Sequence, residues 1–497
     1  MTPELTSGLD LGTSGLKGVV VDAGGAVVAV AEAAYPTSRP SPGAAEQDPA
    51  DWDRAVRSVL GTLAQATSSR AWAGIGLSAM IPTLVLLDGD DRPLGNAITW
   101  EDARAEGDGR AFRERIGGET LYRRTGQWVD GRYLLPMFAR VGRDEAGRSA
   151  ATATVASAKD YLYATLTGRV VTDPSTATGF GCFDLSAGTW DEELLADALG
   201  GAPDAKRVGL PDVDDPSATA GLCTHLAREV GLPPGLPVSL GAADSVCAAF
   251  GMGARRAGDV AIVAGTSVVI VGVEDHLRLD PEHRYLVTPL GGGGWGLEMD
   301  LVSAGSAIAW LASLLGSGDR ASVLAMAAGA DAGARGVSFL PFLGPGEQGA
   351  VWDPSLRGTL AGLTLSHGPA DVARALVEGI VLEIRRCLDV LSDTVSASGD
   401  VTVAGWAAAD PVPEFVADAT RRRIRPQIQS EGGSVSAVGA ALLAGGGGPA
   451  RVPAGDVQTR HPTTAGVERW GELWSRHERL LEAVRAAERV EGEETIP

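Results

Sequence analysis

The sequence predicts an α/β protein built from two domains with similar cores, and three observations carry that reading. The stretch LDLGTSGLKGVVVD, Leu9 to Asp22, places Gly-Thr-Ser between two apolar runs. About half a chain later DVAIVAGTSVVIVGV, Asp259 to Val273, does the same. A repeat on that scale marks a duplicated unit, and 497 residues exceed what one compact core accommodates. Each repeat opens a region in which strand and helix patterns mix, so the predicted domains are residues 1–248 and 249–497.

Residues 6–35 alternate apolar segments with the Gly-Thr-Ser turn and an Ala23-Gly24-Gly25 turn, which predicts a three-stranded meander. Residues 36–50, rich in Pro, Gly and Ser, are expected as loop. DPADWDRAVRSVLGTLAQATSS then puts Trp52, Val56, Val59, Leu60 and Leu63 on one helical face, with Asp51 or a neighbour as cap. WAGIGLSA and TLVLLD are predicted strands, Trp100 to about Arg140 is mostly charged helix, and ASAKDYLYATLTG is a further helix. LPVSLGAADSVCAAFGMGA predicts a buried strand, a turn at Gly241 to Asp244 and a small-residue helix. In the second half the hairpin at 259–273 precedes helices at VSAGSAIAWLASLL and DVARALVEGIVLEIRRCLDVLSD, then a strand at DVTVAG. AGGGGPARVPAG is expected as linker, and GVERWGELWSRHERLLEAVRAAERV as a charged helix before an acidic tail. The Gly-rich LGGGGWGLEMD, Leu290 to Asp300, is expected as a loop near the cleft.

A hydrophobic content of 44% supplies an ordinary globular core. The net charge of −21 argues against a nucleic-acid partner, because neutralising phosphates takes a basic surface. No uncharged apolar run reaches the length of a membrane span, and MTPELTSGLD lacks the basic-then-apolar order of a signal peptide. Cys182, Cys223, Cys247 and Cys387 form no CxxC pair. They are expected as buried small hydrophobes in a reducing, cytoplasmic compartment. The chain has only three lysines, Lys17, Lys159 and Lys206.

Gly-rich turns with hydroxyl side chains present backbone N–H groups to an anion. Two such turns, one per domain, suit a polyphosphate gripped from both sides. Asp10 closes the first strand just before its turn. A carboxylate there repels phosphate unless a hydrated magnesium ion lies between them. A plain hairpin explains either turn taken alone; the pairing is what carries the signal. Other phosphate and hydrolase motifs are missing: there is no GxxxxGK[ST], HExxH or GxSxG. Gly316-Ser317-Gly318 follows a helical pattern rather than a strand, so it is no dinucleotide fingerprint. Asp244 is the lone acid in an apolar, small-residue setting, where an unpaired charge is costly. It suits either a helix N-cap or a general base that takes a proton from a hydroxyl attacking a γ-phosphate.

These segments together resemble the FGGY carbohydrate kinases, within the superfamily of actin, hexokinase and Hsp70-like ATPases. GLDLGTSGLKGVVVD resembles the family's first phosphate motif, and ITWEDARA its substrate-loop segment. AKDYLYATLTG and TDPSTATG resemble the segments that follow, GAADSVCAAFGMGA the catalytic-base motif, and VAGTSVVI the second phosphate motif. The region from FLPFLGPGEQGAVWDPSLRGTL to LEIR resembles the C-terminal signature. The resemblance spans nearly the whole chain in order. It implies two duplicated ribonuclease-H-like (actin-like ATPase) domains with a cleft between them, which closes on substrate and excludes water. It implies ATP and Mg2+ as cofactors and transfer of a phosphoryl group to a small-molecule sugar, with room for a homodimer.

On that resemblance Gly12, Thr13, Ser14, Lys17, Gly265, Thr266 and Ser267 hold the triphosphate, and Ala404, Gly405 and Trp406 face the adenosine. Met80, Trp100, Asp102, Arg104 and Asp244 face the sugar, with Trp128 a further candidate. Asp10 and Asp244 stand on the magnesium side, and Asp244 is the base. Two departures stand out. SAMIPTL has Met80-Ile81-Pro82 where many sugar kinases carry Met-His, and Ala404-Gly405-Trp406 replaces Gly-Gly-Gly or Gly-Gly-Ala. Trp406 is large enough to stack on a base or to fill part of the pocket. LVSAGSAIAWL leans towards xylulose kinases, and SAMIPTLVLLDGDDRPLGNAITWEDARA towards gluconate kinases. A ketopentose such as xylulose is the expected substrate. A gluconate or polyol kinase, and a catalytically weak regulatory sugar- or nucleotide-binding relative, are the alternatives; a filament or chaperone role lacks any peptide-binding module in the sequence.

Overall fold

The computed structural model describes residues 4–199, 208–291, 293–344, 349–353, 355–394, 400–427, 433–446 and 458–494. Two mixed sheets dominate it. In the first, Leu5–Leu11, Gly15–Val21 and Val27–Ala34 form an antiparallel meander. Trp72–Ala79 runs parallel to the other side of Leu5–Leu11, and Pro237–Ser239 parallel to that. In the second, Val260–Ala264, Val268–Glu274 and Trp295–Leu301 form the meander. Val401–Gly405 and Ile424–Gln427 extend it in parallel, as the two later strands do in the first sheet. Both sheets therefore carry one plan: a hairpin on one side of the opening strand, and two parallel strands on the other.

The helices follow from amphipathic spacing. Pro49–Ala66 buries Trp52, Val56, Val59, Leu60 and Leu63 against the first sheet, where Gly18 leaves room for Val59 and Leu63. Its cap is Asp48, which accepts from Ala50 N–H, rather than Asp51. Ala158–Thr167 starts with a reciprocal capping box between Ser157 and Asp160. The long helix Pro369–Thr394 lies behind the second sheet and supplies much of its core, with Leu376, Ile380, Ile384 and Leu391 buried. The C-terminal helix Thr464–Glu494 docks by Trp470, Leu473 and Leu481.

One sequence expectation is corrected. Leu290 to Asp300 is a loop only at its start, because Trp295–Leu301 is a strand of the second sheet. The apolar residues Leu297, Met299 and Leu301 alternate with Glu298 and Asp300, the period of a half-buried strand, which the flanking glycines disguise. Of the expected linker AGGGGPARVPAG, residues 447–455 lie outside the described residues.

The two halves join through small residues. Helix Asp244–Gly251 packs on helix Val435–Ala444, and the latter lies across the first sheet although it belongs to the second half. A β-carbon on Gly439 would sit 1.7 Å from the carbonyl of Cys247. One on Gly8 would sit 1.8 Å from Ala437 O, and one on Gly76 1.9 Å from Ala440 O. Backbone meets backbone at each point, so no side chain fits.

Gly439→Ala should destabilise the fold by about 1–3 kcal/mol, the scale of overpacking. Gly61→Ala, in a helix with nothing within 4 Å of the added carbon, should stabilise by about 0.5–1 kcal/mol. Urea unfolding midpoints check both; equal midpoints for the two variants would contradict the packing described.

Candidate active site

Strand pairing sets the site. Leu11 lies beside Ala79, and Ala264 beside Gly405, so each Gly-Thr-Ser turn emerges at the carboxyl edge of its sheet. Each turn closes on itself, Gly12 N–H on Gly15 O (3.1 Å) and Gly265 N–H on Ser267 O (2.8 Å). Around the first turn, Tyr35 donates to Gly12 O (2.6 Å), Gln47 to Thr13 O (2.6 Å), and the Trp100 indole to Thr13 Oγ1 (3.0 Å). Around the second, the Trp406 indole (2.9 Å) and Arg320 (3.0 Å) donate to Gly265 O, and Ser306 N–H to Thr266 O (2.9 Å). With these carbonyls occupied, a ligand meets the N–H groups and hydroxyls.

Asp10 ends the first strand with its carboxylate held by two hydroxyls. Ser78 donates to Oδ1 (2.9 Å) and Ser434, from the second half, to Oδ2 (2.7 Å). Burial raises its pKa, and the two hydroxyls and Lys17 oppose the rise. Lys17 is the register partner of Asp10 across the hairpin and is exposed; residues directly opposite share a face of the sheet.

Asp244 is the first residue of its helix, with Ala243 at the cap position, and its Oδ1 accepts from Ser245 N–H (2.9 Å). Burial first, and then the nearby Asp10 charge, raise its pKa to about 8.

Between the turns lies a cavity of about 260 Å³. Thr13, Trp100, Ile81, Pro82 and Asp244 line one side; Thr266, Ser267, Val269, Glu298 and Asp300 line the other. Glu298 accepts from Ser245 Oγ (2.9 Å), and burial together with Asp300 and Asp244 pushes its pKa well above the carboxylate range. Asp300 is raised to about 6 by burial, with Arg132 opposing. Arg132 is the only cation lining the cavity among the described residues, and it is clamped bidentately by Asp130. Gln127 bridges the halves, donating to Val287 O (2.8 Å) while accepting from Tyr133 (3.0 Å).

Some expected substrate residues stand elsewhere. Met80 is buried in the first core, while Ile81 and Pro82 reach the cavity. Asp102 accepts from Ala45 N–H (2.9 Å), and Arg104 is bound to Asp102 and to Glu46 (both 2.6 Å). That knot shapes the loop that delivers Trp100. Trp128 packs tilted against Trp352, with ring centroids 5.5 Å apart, rather than on the cavity wall. Trp406 sits beside the second turn after Gly405, whose φ is +71° and whose β-carbon would lie 2.0 Å from Ala264 O; only glycine fits there.

Comparison with known proteins now decides the family. Residues 5–251 match the N-terminal domain of the FGGY family of carbohydrate kinases, and residues 260–446 its C-terminal domain. The chain belongs to the FGGY carbohydrate kinases. It is 31% identical to the xylulose kinase of Klebsiella pneumoniae over 88% of this chain and 89% of the relative. It is 26% identical to the gluconokinase of Bacillus subtilis over 88% and 86%. Among solved structures, the xylulose kinase from Rhodospirillum rubrum superposes with a TM-score of 0.86 at 30% identity, covering 98% of this chain and 100% of that one. The gluconate kinase from Lactobacillus acidophilus gives 0.85 at 26%, covering 97% and 98%. The fold is thus the two-domain actin-like ATPase fold, and the protein is a sugar kinase that uses ATP.

Sequence reasoning missed Gln127, Arg132, Tyr133, Glu298 and Asp300. The period-two pattern of WGLEMDL was the available signal for the last two. Nothing local marks the first three, which the fold brings across the cleft.

The raised Asp244 carboxyl has a sign for stability. Its pKa stands at about 8 in the folded chain against an ordinary 3.8. Unfolded chains therefore release that proton first, and stability is lost as pH rises through this window, levelling above about 8. Asp244→Asn should melt higher than the parent at pH 8.5, with the gain shrinking towards pH 5. A gain that is flat, or larger in acid, would contradict the burial.

Proposed function

We propose that the kinase phosphorylates a neutral ketopentose, such as xylulose, with Asp244 as general base. The observation that carries this is the placement of Asp244 in one cavity with both Gly-Thr-Ser turns and with Trp100. The carboxylate takes the proton of the attacking hydroxyl, while turn N–H groups and Thr13, Thr266 and Ser267 oppose the charge developing on the phosphates. Lys17 adds a positive charge beside the first turn. Ala404, Gly405 and Trp406 form the adenosine side. Trp100 and Asp244 hold the sugar, with Met80, Asp102 and Arg104 acting behind them through the loop they shape.

Magnesium fits this donor set only as an ion that keeps its waters. Among the described residues no group of three or more His, Cys, Asp or Glu could hold a metal ion. Asp10 and Asp244 are the carboxylates that would face an ion carried in by the phosphates; when bound, it neutralises phosphate charge. The same reading takes residues 1–248 and 249–497 as the two closing domains. A cytoplasmic location accords with four unpaired cysteines and with no helix, among the described residues, long and apolar enough to cross a membrane. A homodimer belongs to the proposal without a surface assigned to it.

Crowding among Asp10, Asp244, Glu298 and Asp300 favours the neutral ketose over an aldonate. Asp10 and Asp300 already raise the pKa of Asp244, and Asp300 and Asp244 that of Glu298; a substrate carboxylate would add a further like charge. Gluconate nevertheless remains the second reading, on the strength of the gluconokinase relatives.

An ADP-release assay with ATP and magnesium across ketopentoses, aldonates and polyols tests this. Asp244→Ala should lower kcat by about 10²–10⁴-fold with ATP affinity within about threefold. Turnover near the parent's would remove Asp244 from the role of base. Asp300→Asn should raise the aldonate-to-ketopentose ratio of kcat/KM by about tenfold, equivalent to ~1.4 kcal/mol; aldonate as the best parent substrate would overturn the neutral-sugar reading.

A further inference from the structure

Lys159 is fully buried, in a chain whose cations are otherwise almost all arginine. Its Nζ lies 3.2 Å from Asp173 Oδ1, 3.7 Å from Asp160 Oδ1 and 3.4 Å from Leu240 O. Asp173 caps the short helix Pro174–Thr178, its Oδ2 accepting from Ser175 N–H (2.9 Å) and from the Ser175 hydroxyl. With its hydrogen donated in a hydrogen bond to Asp173, the Ser175 hydroxyl turns a lone pair outward, and Ala243 N–H donates to it at 2.9 Å. Ala243 is the residue before Asp244.

The ammonium thus grips the 240–243 turn at both ends. It binds Leu240 O directly, and Ala243 N–H through Asp173 and Ser175. Core packing needs none of this, since an apolar side chain fills the volume of a lysine without the desolvation cost of a buried ion pair.

We propose that Lys159, Asp173 and Ser175 are positioning residues that fix the aim of Asp244 at the substrate hydroxyl. The proposal rests on the reading of Asp244 as base and goes beyond it, because none of the three lines the cavity. Misplacement of a reacting group by about 1 Å costs on the order of 10²-fold in rate, so small motions of this turn matter.

The test uses Ser175→Ala, which removes one hydroxyl and no charge. Expected are a fall in kcat of about 10–100-fold, KM values for sugar and ATP within about threefold, and faster amide exchange in the peptide covering residues 240–247. The triple variant Lys159→Met/Asp160→Asn/Asp173→Asn leaves no unpaired buried charge in the cluster, and it should show a kcat loss that does not add to that of Ser175→Ala. A lower melting temperature with kcat unchanged would reduce the cluster to a structural role and overturn the proposal, as would unchanged exchange at 240–247. Asp244→Asn run in parallel separates the two failures. If that variant keeps parental turnover, the base reading falls; if it is dead while Ser175→Ala is fully active, only the positioning proposal falls. Exchange needs no substrate, so it decides the structural link even for a parent silent on the whole sugar panel.

Discussion

The arrangement depends on one carboxylate shared between two halves. Asp10 ends the first strand of the first sheet, yet one of its two hydroxyl donors, Ser434, caps a helix from the second half. The Ser434 hydroxyl donates to Asp10 and accepts from Ala437 N–H (3.2 Å). The positive end of helix Val435–Ala444 therefore points at the Asp10 carboxylate, which favours its charged form. This helix lies across the first sheet at Gly8 and Gly76, so charge and packing fix the same contact. The cleft floor is set there, and both turns inherit their positions from it.

A second constraint follows from charge. The chain carries a net −21 and still places Asp10, Asp244, Glu298 and Asp300 around one small space. Burial, and then like-charge repulsion, hold carboxyl protons above their ordinary range: burial and Asp10 raise Asp244 to about 8, and burial raises Asp300 to about 6. Protonation relieves that like-charge crowding. On the function proposed above, the same crowding disfavours an anionic sugar.

The fold was legible because its information is local and repeated. Apolar runs around Gly12 and Gly265 give both hairpins, and the 3.6-residue spacing of Trp52 to Leu63 gives the helix behind the first. Asp10, Asp244 and the two turns were legible for a related reason: each sits at a strand end, where pattern and chemistry coincide. The opposite wall was not. Glu298 and Asp300 hide in a strand whose flanking glycines imitate a loop, and Gln127, Arg132 and Tyr133 reach the site only through tertiary contacts. Trp-x-Asp-x-Arg shows the converse, since a motif suited to direct sugar contact delivers Trp100 while its Asp and Arg bind each other and Glu46.

That distinction between touching and holding extends inward. Trp100 holds Thr13, Trp406 holds Gly265, and Ser434 holds Asp10, each through one hydrogen bond to a residue at the cleft. In each case a side chain on one element fixes a group on another, and two of the bonds tie segments more than a hundred residues apart. On the proposed closing of two domains, the cleft cannot rely on a continuous core at its centre, because a core resists shear. Discrete polar links at strand ends fix these groups, while the two helices meet backbone to backbone at Gly439 and Cys247. The glycines there matter as much as the carboxylates, because they let the two halves pack backbone to backbone beside the cavity.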